Sequence, residues 1–233
     1  MRLLICSAST KSHKADTLLY WSLEKIIRYA SYDKIDVDYY FQLKNKRPLP
    51  LVYNEFLDIA QDGDYTHLVI CHDDISIETV NLARYLQDSF KSTGFNLMGV
   101  AGTSQVKLES PALWHLMGGG FNSGHLHGAV SHLISDKQKY MTSFGPYPSQ
   151  VLMIDGVFMA MDDRFKFMCF DEQNPCPWHF YDLDFSLQTH KNGYKVGVTD
   201  VNITHASPGL GEFTPEWKEG EEWFLKKHTL PAK

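Results

Sequence analysis

The strand-like run His67-Leu68-Val69-Ile70-Cys71 constrains this chain most. Its apolar core of Leu, Val, Ile and Cys shows no polar alternation. A strand of that kind is buried on both faces, which happens where helices cover both sides of a sheet. The surrounding pattern agrees. Leu3 to Cys6 reads as a first strand, broken by Ser7-Ala8-Ser9-Thr10. Leu18, Leu19, Trp21, Leu23, Ile26 and Ile27 recur near helical spacing and predict a helix over 14–30. Ile35 to Phe41 reads as a strand, and Val52 to Ala60 as a short helix closed by Gln61-Asp62-Gly63-Asp64. A helix over 77–91 and a strand from Leu97 to Ala101 follow. Strands alternating with helices predict an α/β fold with a mostly parallel central sheet flanked by helices.

The middle of the chain differs. Residues 102–150 are rich in Gly, Ser, His and Pro and include Gly118-Gly119-Gly120, His125, His127 and His132. Weak periodicity there predicts a mobile loop region over a site rather than a second domain. Regular structure resumes at Val151 to Ile154 and Phe158 to Met161. A helix over 180–191 should stop at Asn192-Gly193. Strands from Lys195 to Val198 and Val201 to Thr204 follow, then a Trp-rich helical tail packed on the outside. The expected organisation is one domain over 1–233, made of a first half 1–101, the loop region 102–150, and a second half with its tail, 151–233.

Composition narrows the class. The 233 residues suffice for one α/β core, and the net charge of -6 argues against nucleic acid as the main partner. Cys6, Cys71, Cys169 and Cys176 form no C-x-x-C pair, and the first two sit in strand-like runs as small buried thiols. No apolar run approaches the ~20 residues that span a bilayer. The N-terminal Met1 to Cys6 is too short and too quickly polar for a signal peptide. A reducing, cytoplasmic setting is the expectation.

Three features carry chemistry. His72-Asp73-Asp74 directly follows the buried strand, and ligands of open α/β sheets bind off the carboxyl ends of strands. Adjacent carboxylates suit a hard cation such as Mn²⁺ or Mg²⁺, which bridges to a diphosphate; they equally suit a solvated cap on the next helix. A second acidic cluster reads Phe170-Asp171-Glu172 and then Tyr181-Asp182-Leu183-Asp184. On a helix, Asp182 and Asp184 do not share a face, so one can enter a cleft while the other pairs elsewhere. Alternatively both are acids at a helix N-terminus, favoured by its dipole. His205 lies just past the last strand, where it is either structural or a metal ligand. The spacing of His125, His127 and His132 is compatible with zinc, but no fourth ligand accompanies them.

The order of these parts resembles the GT-A fold glycosyltransferases, and most closely small family-2-like members from bacteria and large DNA viruses. The strings that carry the resemblance are THLVICHDDI, IDGVFMAMDDRF, FDEQNPCPWHFYDLDFSL, and NGYKVGV followed by ITHASPG. The resemblance as a whole runs from about Leu3 to Gly209, and the strings are specific for fold and superfamily rather than for donor or acceptor. The resemblance makes 1–101 the nucleotide-binding half and 151–233 the acceptor half.

It also implies roles. Asp73-Asp74 stands for the family's Asp-x-Asp motif, with Asp74 on the metal and Asp73 near the ribose or metal. His205 stands for the C-terminal metal ligand. Ser7 and Ser9 would contact the base, Asn54 would open the helix beneath the nucleotide, and Asp155-Gly156 would border the nucleotide-sugar. Asp182 would be the base of an inverting reaction. The implied partners are a nucleotide-sugar donor, GDP-mannose or a UDP-hexose, and a hydroxyl acceptor such as a glycan. Two positions depart from the pattern: His72 replaces the first motif carboxylate, and Tyr181-Asp182 replaces a Glu-Asp pair. A sugar-phosphate nucleotidylyltransferase is the rival enzyme, disfavoured by the absence of glycine from Ser7-Ala8-Ser9-Thr10-Lys11. A non-catalytic nucleotide-sugar binder is the rival from another class, disfavoured by Asp182.

Overall fold

The computed structural model describes residues 1–106, 109–117, 124–135, 138–207 and 213–228. In chain order the elements are β1 (Arg2–Ala8), α1 (Leu18–Tyr32), β2 (Asp36–Gln42), α2 (Leu49–Asp62), β3 (His67–Cys71), β4 (Ile75–Ile77), α3 (Leu82–Thr93), β5 (Leu97–Gly99) and β6 (Ala101–Thr103). Then follow α4 (Trp114–Met117), β7 (Leu126–Ser135), β8 (Gln138–Gly145), β9 (Ser149–Gln150), β10 (Met153–Ile154), β11 (Phe158–Met161), α5 (Tyr181–Lys191), β12 (Val196–Val198), β13 (Ile203–His205) and α6 (Pro215–Lys227).

The main sheet has the order β2-β1-β3-β11-β5-β12-β9. β1 pairs in parallel with β2 and β3, and β5 with β12, whereas β11 runs antiparallel between β3 and β5. Both faces of β1 are buried, as continuous apolar runs require. Leu3 and Ile5 pack with Leu19, Leu23 and Ile26 of α1, while Leu4 and Cys6 pack with Val52, Tyr53 and Phe56 of α2. Helix ends follow local chemistry. The Thr17 hydroxyl accepts from the Tyr20 N–H to cap α1, and Gly94, at φ +68°, closes α3.

A second sheet, β10-β6-β7-β13-β4 with β8 on β7, continues from the first. The chain crosses between the sheets at several points: from β3 to β4 through residues 72–74, from β5 to β6 at Val100, from β10 to β11 through Asp155-Gly156, and from β12 to β13. The predicted single strand over Leu97–Ala101 is therefore two strands in different sheets, and the predicted helix over 77–91 is preceded by the strand β4.

The segment 102–150 is more regular than its composition suggests. β7 and β8 pair antiparallel from Gly128↔Gly145 to Ser135↔Gln138, and β7 also pairs with β6 and β13. Small and polar residues mask the period-two pattern of β7, in which Leu126, Gly128 and Val130 face inward. Gly118-Gly119-Gly120 lies outside the described residues. No helix among the described residues is long and apolar enough to cross a membrane.

Candidate active site

His72 and Asp74 occupy the turn from β3 to β4. β4 pairs antiparallel with β13, which sets His205 opposite Ile75, and the Ala206 N–H donates to the Asp74 carbonyl at 2.9 Å. This register brings the Asp74 and His205 side chains together from opposite ends of the chain. His205 Nε2 lies 3.2 Å from Asp74 Oδ1, and His72 Nδ1 lies 3.8 Å from the same oxygen. The three residues offer ligand atoms within 4.8 Å of one another.

Asp74 Oδ1 and His205 Nε2 are both buried and have no hydrogen-bond partner among the described residues. Their closeness is thus an electrostatic contact without hydrogen-bond geometry. Leaving two polar atoms so costs stability unless something else meets both lone pairs. One carboxylate oxygen with two imidazole nitrogens is a donor set that fits a divalent cation. Burial holds the His72 imidazole below its ordinary pKa, against the opposing pull of Asp74. At Asp74 burial pushes the carboxyl up, but the neighbouring His205 and His72 outweigh it, and the net shift is downward.

The other carboxylate of the motif turns away. The Ser9 hydroxyl donates to Asp73 Oδ2, and the Asp73 carbonyl accepts from the Leu19 N–H at the start of α1. Ser7, at the carboxyl end of β1, is fully buried with a hydroxyl that has no partner among the described residues. Ser7, Ser9 and Asp73 thus lie at adjacent strand ends, where α/β sheets bind ligands. Asn54 is placed differently from the expectation. Pro48 starts α2 at Leu49, so Asn54 lies inside the helix and does not open it. Its carboxamide is occupied with a distant turn, accepting from the Phe170 N–H at 2.7 Å and donating to the Phe170 carbonyl at 3.0 Å and to Glu172 at 2.7 Å.

Asp182 stands in the first turn of α5 and accepts from the Gly156 N–H at 2.8 Å. Burial, and then the nearby Asp155 carboxylate, push its pKa up to about 7. Gly156 is required for this approach, because a Cβ there would lie 2.3 Å from the Tyr181 hydroxyl. That hydroxyl contacts His72 Nε2 at 3.1 Å, and the Tyr181 ring meets Tyr53 edge-on at 5.2 Å. Tyr181 and Asp182, adjacent in sequence, therefore link the His72 cluster to the Asp155-Gly156 crossing. Asp184 points elsewhere, as helical spacing predicts. It is buried against Nζ of Lys227, the last residue of α6, at 2.8 Å and Nε2 of His228, which caps that helix, at 2.6 Å.

Sequence reasoning overlooked two contributors. It read His72 only as a departure from the motif, yet His72 completes the cluster with Asp74 and His205. It assigned no role to Tyr181, whose hydroxyl orients that histidine. Their signal was the strand end preceding Asp73 and the aromatic residue preceding Asp182. Of the histidines in 102–150, His132 lies beside the cluster. β7 pairs it with His205, their rings are 6.4 Å apart, and it stacks on Tyr140 at 4.9 Å. His127 instead contacts the Pro146 carbonyl at 3.3 Å.

Parallel strands covered by helices, continued by a second sheet with acidic and imidazole groups gathered at the crossings, make up an α/β fold of the GT-A type. The model of the glycosyltransferase-like family matches residues 15–228, and the chain belongs to that family. By class it is a glycosyltransferase. Among solved structures, the catalytic domain of Drosophila beta1,4-galactosyltransferase 7, in complex with xylobiose, is similar at a TM-score of 0.53 and 10% identity, covering 95% of this chain and 80% of that one. A glycosyltransferase involved in glycosylation of the major capsid of PBCV-1 aligns at a TM-score of 0.41 and 10% identity, over 96% of this chain and 100% of the other. CMP:2-keto-3-deoxy-manno-octonic acid synthetase complexed with CTP aligns at 0.35 and 9% identity, over 97% and 100%. A comparison with curated proteins gives no match.

Proposed function

We propose that this protein transfers a sugar from a nucleoside-diphosphate-sugar to a hydroxyl acceptor, with inversion, using a divalent cation. The donors to test first are GDP-mannose and the UDP-hexoses, with a glycan as acceptor and the cytoplasm as the setting. The observation that carries this reading is the pair of buried, partnerless atoms Asp74 Oδ1 and His205 Nε2, facing each other beside the strand ends. Asp74 and His205 would hold the cation, Mn²⁺ or Mg²⁺. When bound, the cation supplies positive charge that offsets the charge growing on the departing diphosphate.

The protein's own residues do the rest. Ser7, Ser9 and Asp73 border the nucleotide at the ends of β1 and β3, with Ser9 fixing the Asp73 carboxylate. Asp155 and Gly156 border the sugar, and the Gly156 N–H fixes the orientation of Asp182. Asp182 takes the acceptor proton as the hydroxyl oxygen bonds to the anomeric carbon and the bond to the diphosphate oxygen breaks. A carboxylate with a pKa raised to about 7 is a stronger base than an ordinary one and is still partly ionised near neutrality. Asn54 supports the site indirectly, by holding the Phe170–Glu172 turn ahead of α5.

The test compares binding and turnover on the same preparations. Asp182→Asn keeps the shape and should bind nucleoside diphosphate with cation as the wild type does, while transfer falls by ~100- to 10,000-fold. Asp74→Ala should lose the enhancement of nucleotide binding by Mn²⁺. Near wild-type transfer by Asp182→Asn removes it as base, and unchanged cation dependence in Asp74→Ala removes the cation site.

A further inference from the structure

The cluster differs from a paired-carboxylate site in one respect that decides which ion it prefers. From the contacts of His72, we infer that it is a third cation ligand through Nδ1, so that the centre holds two imidazoles and one carboxylate and prefers Co²⁺, Zn²⁺ or Mn²⁺ to Mg²⁺. This rests on the proposal that Asp74 and His205 hold a cation, and it deepens that proposal.

The two nitrogens of His72 meet different partners. Nε2 is 3.1 Å from the Tyr181 hydroxyl, while Nδ1 faces Asp74 Oδ1 at 3.8 Å. A hydroxyl can accept, so Nε2 can carry the ring proton and donate it to Tyr181, leaving the Nδ1 lone pair free on the Asp74 side. This is how a neighbouring oxygen usually fixes the tautomer of a ligating histidine. The Tyr181 hydroxyl is itself confined, with Gly156 leaving no room for a Cβ on one side and the buried Tyr53 on another. His205 brings Nε2 to the same oxygen from β13, and the two histidine rings meet edge-on at 5.6 Å. Ligand atoms about 2.1 Å from one ion lie about 3 to 4 Å from each other, close to the spacings found here.

The choice of ion follows from donor chemistry. Mg²⁺ favours oxygen donors and keeps its waters, whereas imidazole nitrogen favours the later first-row ions. Two nitrogens out of three protein ligands therefore disfavour Mg²⁺. With His72 in place of the first motif carboxylate, the site also carries less negative charge, which lowers its hold on hard cations further.

The direct readout is spectroscopic and needs no substrate. Wild-type protein loaded with Co²⁺ or Mn²⁺ is examined by pulsed electron paramagnetic resonance for nitrogen couplings, and ion affinities are measured by calorimetry. The expected result is two coupled imidazoles in the wild type and one in His72→Asp. Co²⁺ should bind at least about tenfold more tightly than Mg²⁺, a preference that His72→Asp narrows or reverses. Tyr181→Phe should keep both nitrogens but weaken Co²⁺ by about tenfold or more. One coupled imidazole in the wild type, or an unchanged ion preference in His72→Asp, overturns the inference while leaving Asp74 and His205 as ligands. Failure of the wild type to bind any of these ions, with or without a nucleoside diphosphate, overturns the underlying cation proposal as well.

Discussion

At Asp182 a half-buried carboxylate faces a second one, Asp155, and accepts the Gly156 N–H. Burial is the larger cause of its upward shift to about 7, and the charge of Asp155 adds to it. An unfolded Asp titrates near about 3.9. The folded state therefore binds this proton more tightly than the unfolded state does. The sign follows from linkage: the contribution to stability is fully present below about pH 4 and is lost as pH rises through about 7. The carboxylate proposed above as the base thus weakens the fold under the conditions where it is ionised, a form of stability–function trade-off. Asp182→Asn removes the charge but keeps an oxygen for the Gly156 N–H. In chelator, with no nucleotide, this variant should melt above the wild type at pH 8 and show no such gain at pH 4. A variant that melts no higher than the wild type at pH 8 would show that Asp182 is not strained by burial and Asp155.

Helix α5 divides its acids between the proposed site and the packing of the C-terminal helix. Asp182 turns to the crossing at Gly156, and Asp184, two residues on, turns to α6. There its carboxylate is 1% exposed, with His228 Nε2 at 2.6 Å and Lys227 Nζ at 2.8 Å, and Lys227 also pairs with Asp171. Phe180 packs on Trp217 and Phe224 beside this clamp. Removing one member of a buried ion pair strands its partners, typically a loss of 3–5 kcal/mol. Asp184→Asn should therefore lower the urea midpoint strongly, and the folded fraction should keep its nucleotide affinity. A midpoint close to wild type would show that Phe180, Trp217 and Phe224 hold α6 without the clamp. Gly156→Ala tests the other face of α5. A new Cβ there, 2.3 Å from the Tyr181 hydroxyl, must displace Tyr181 or the crossing. It should impair Co²⁺ binding and transfer together, and normal values for both would refute the packing seen here. The division of Asp182 from Asp184 was legible in the sequence, because helical spacing alone separates the two residues. The identity of Asp184's partners was not, since nothing local connects it to Lys227 and His228.

Across the whole molecule, the site lies where the chain passes between two sheets. The alternation of strands and helices was readable because each buried strand is locally apolar and each helix locally periodic. Strand pairing is a non-local property, so the register that sets His205 opposite Ile75 and beside His132 left no trace in any short window. For the same reason the inner face of β7 hid among small residues, and 102–150 read as loop. The fold now gives a sharper expectation for that segment. β7 is hydrogen-bonded to β6, β8 and β13, so its amides between Leu126 and Leu133 should exchange slowly even without ligand. A cation and nucleoside diphosphate would join the β3–β4 turn to β13 and satisfy Asp74 Oδ1 and His205 Nε2 at once. A ligand that binds only the folded state stabilises it by mass action, about 2.7 kcal/mol at a hundredfold excess over Kd. Mn²⁺ with GDP or UDP should therefore raise Tm and slow exchange chiefly at residues 72–76 and 203–206. Asp74→Ala should abolish the part of both effects that depends on Mn²⁺. Ligand protection confined to β7 and β8, with residues 72–76 unchanged, would instead place the binding site on the hairpin and leave the crossing as structure alone.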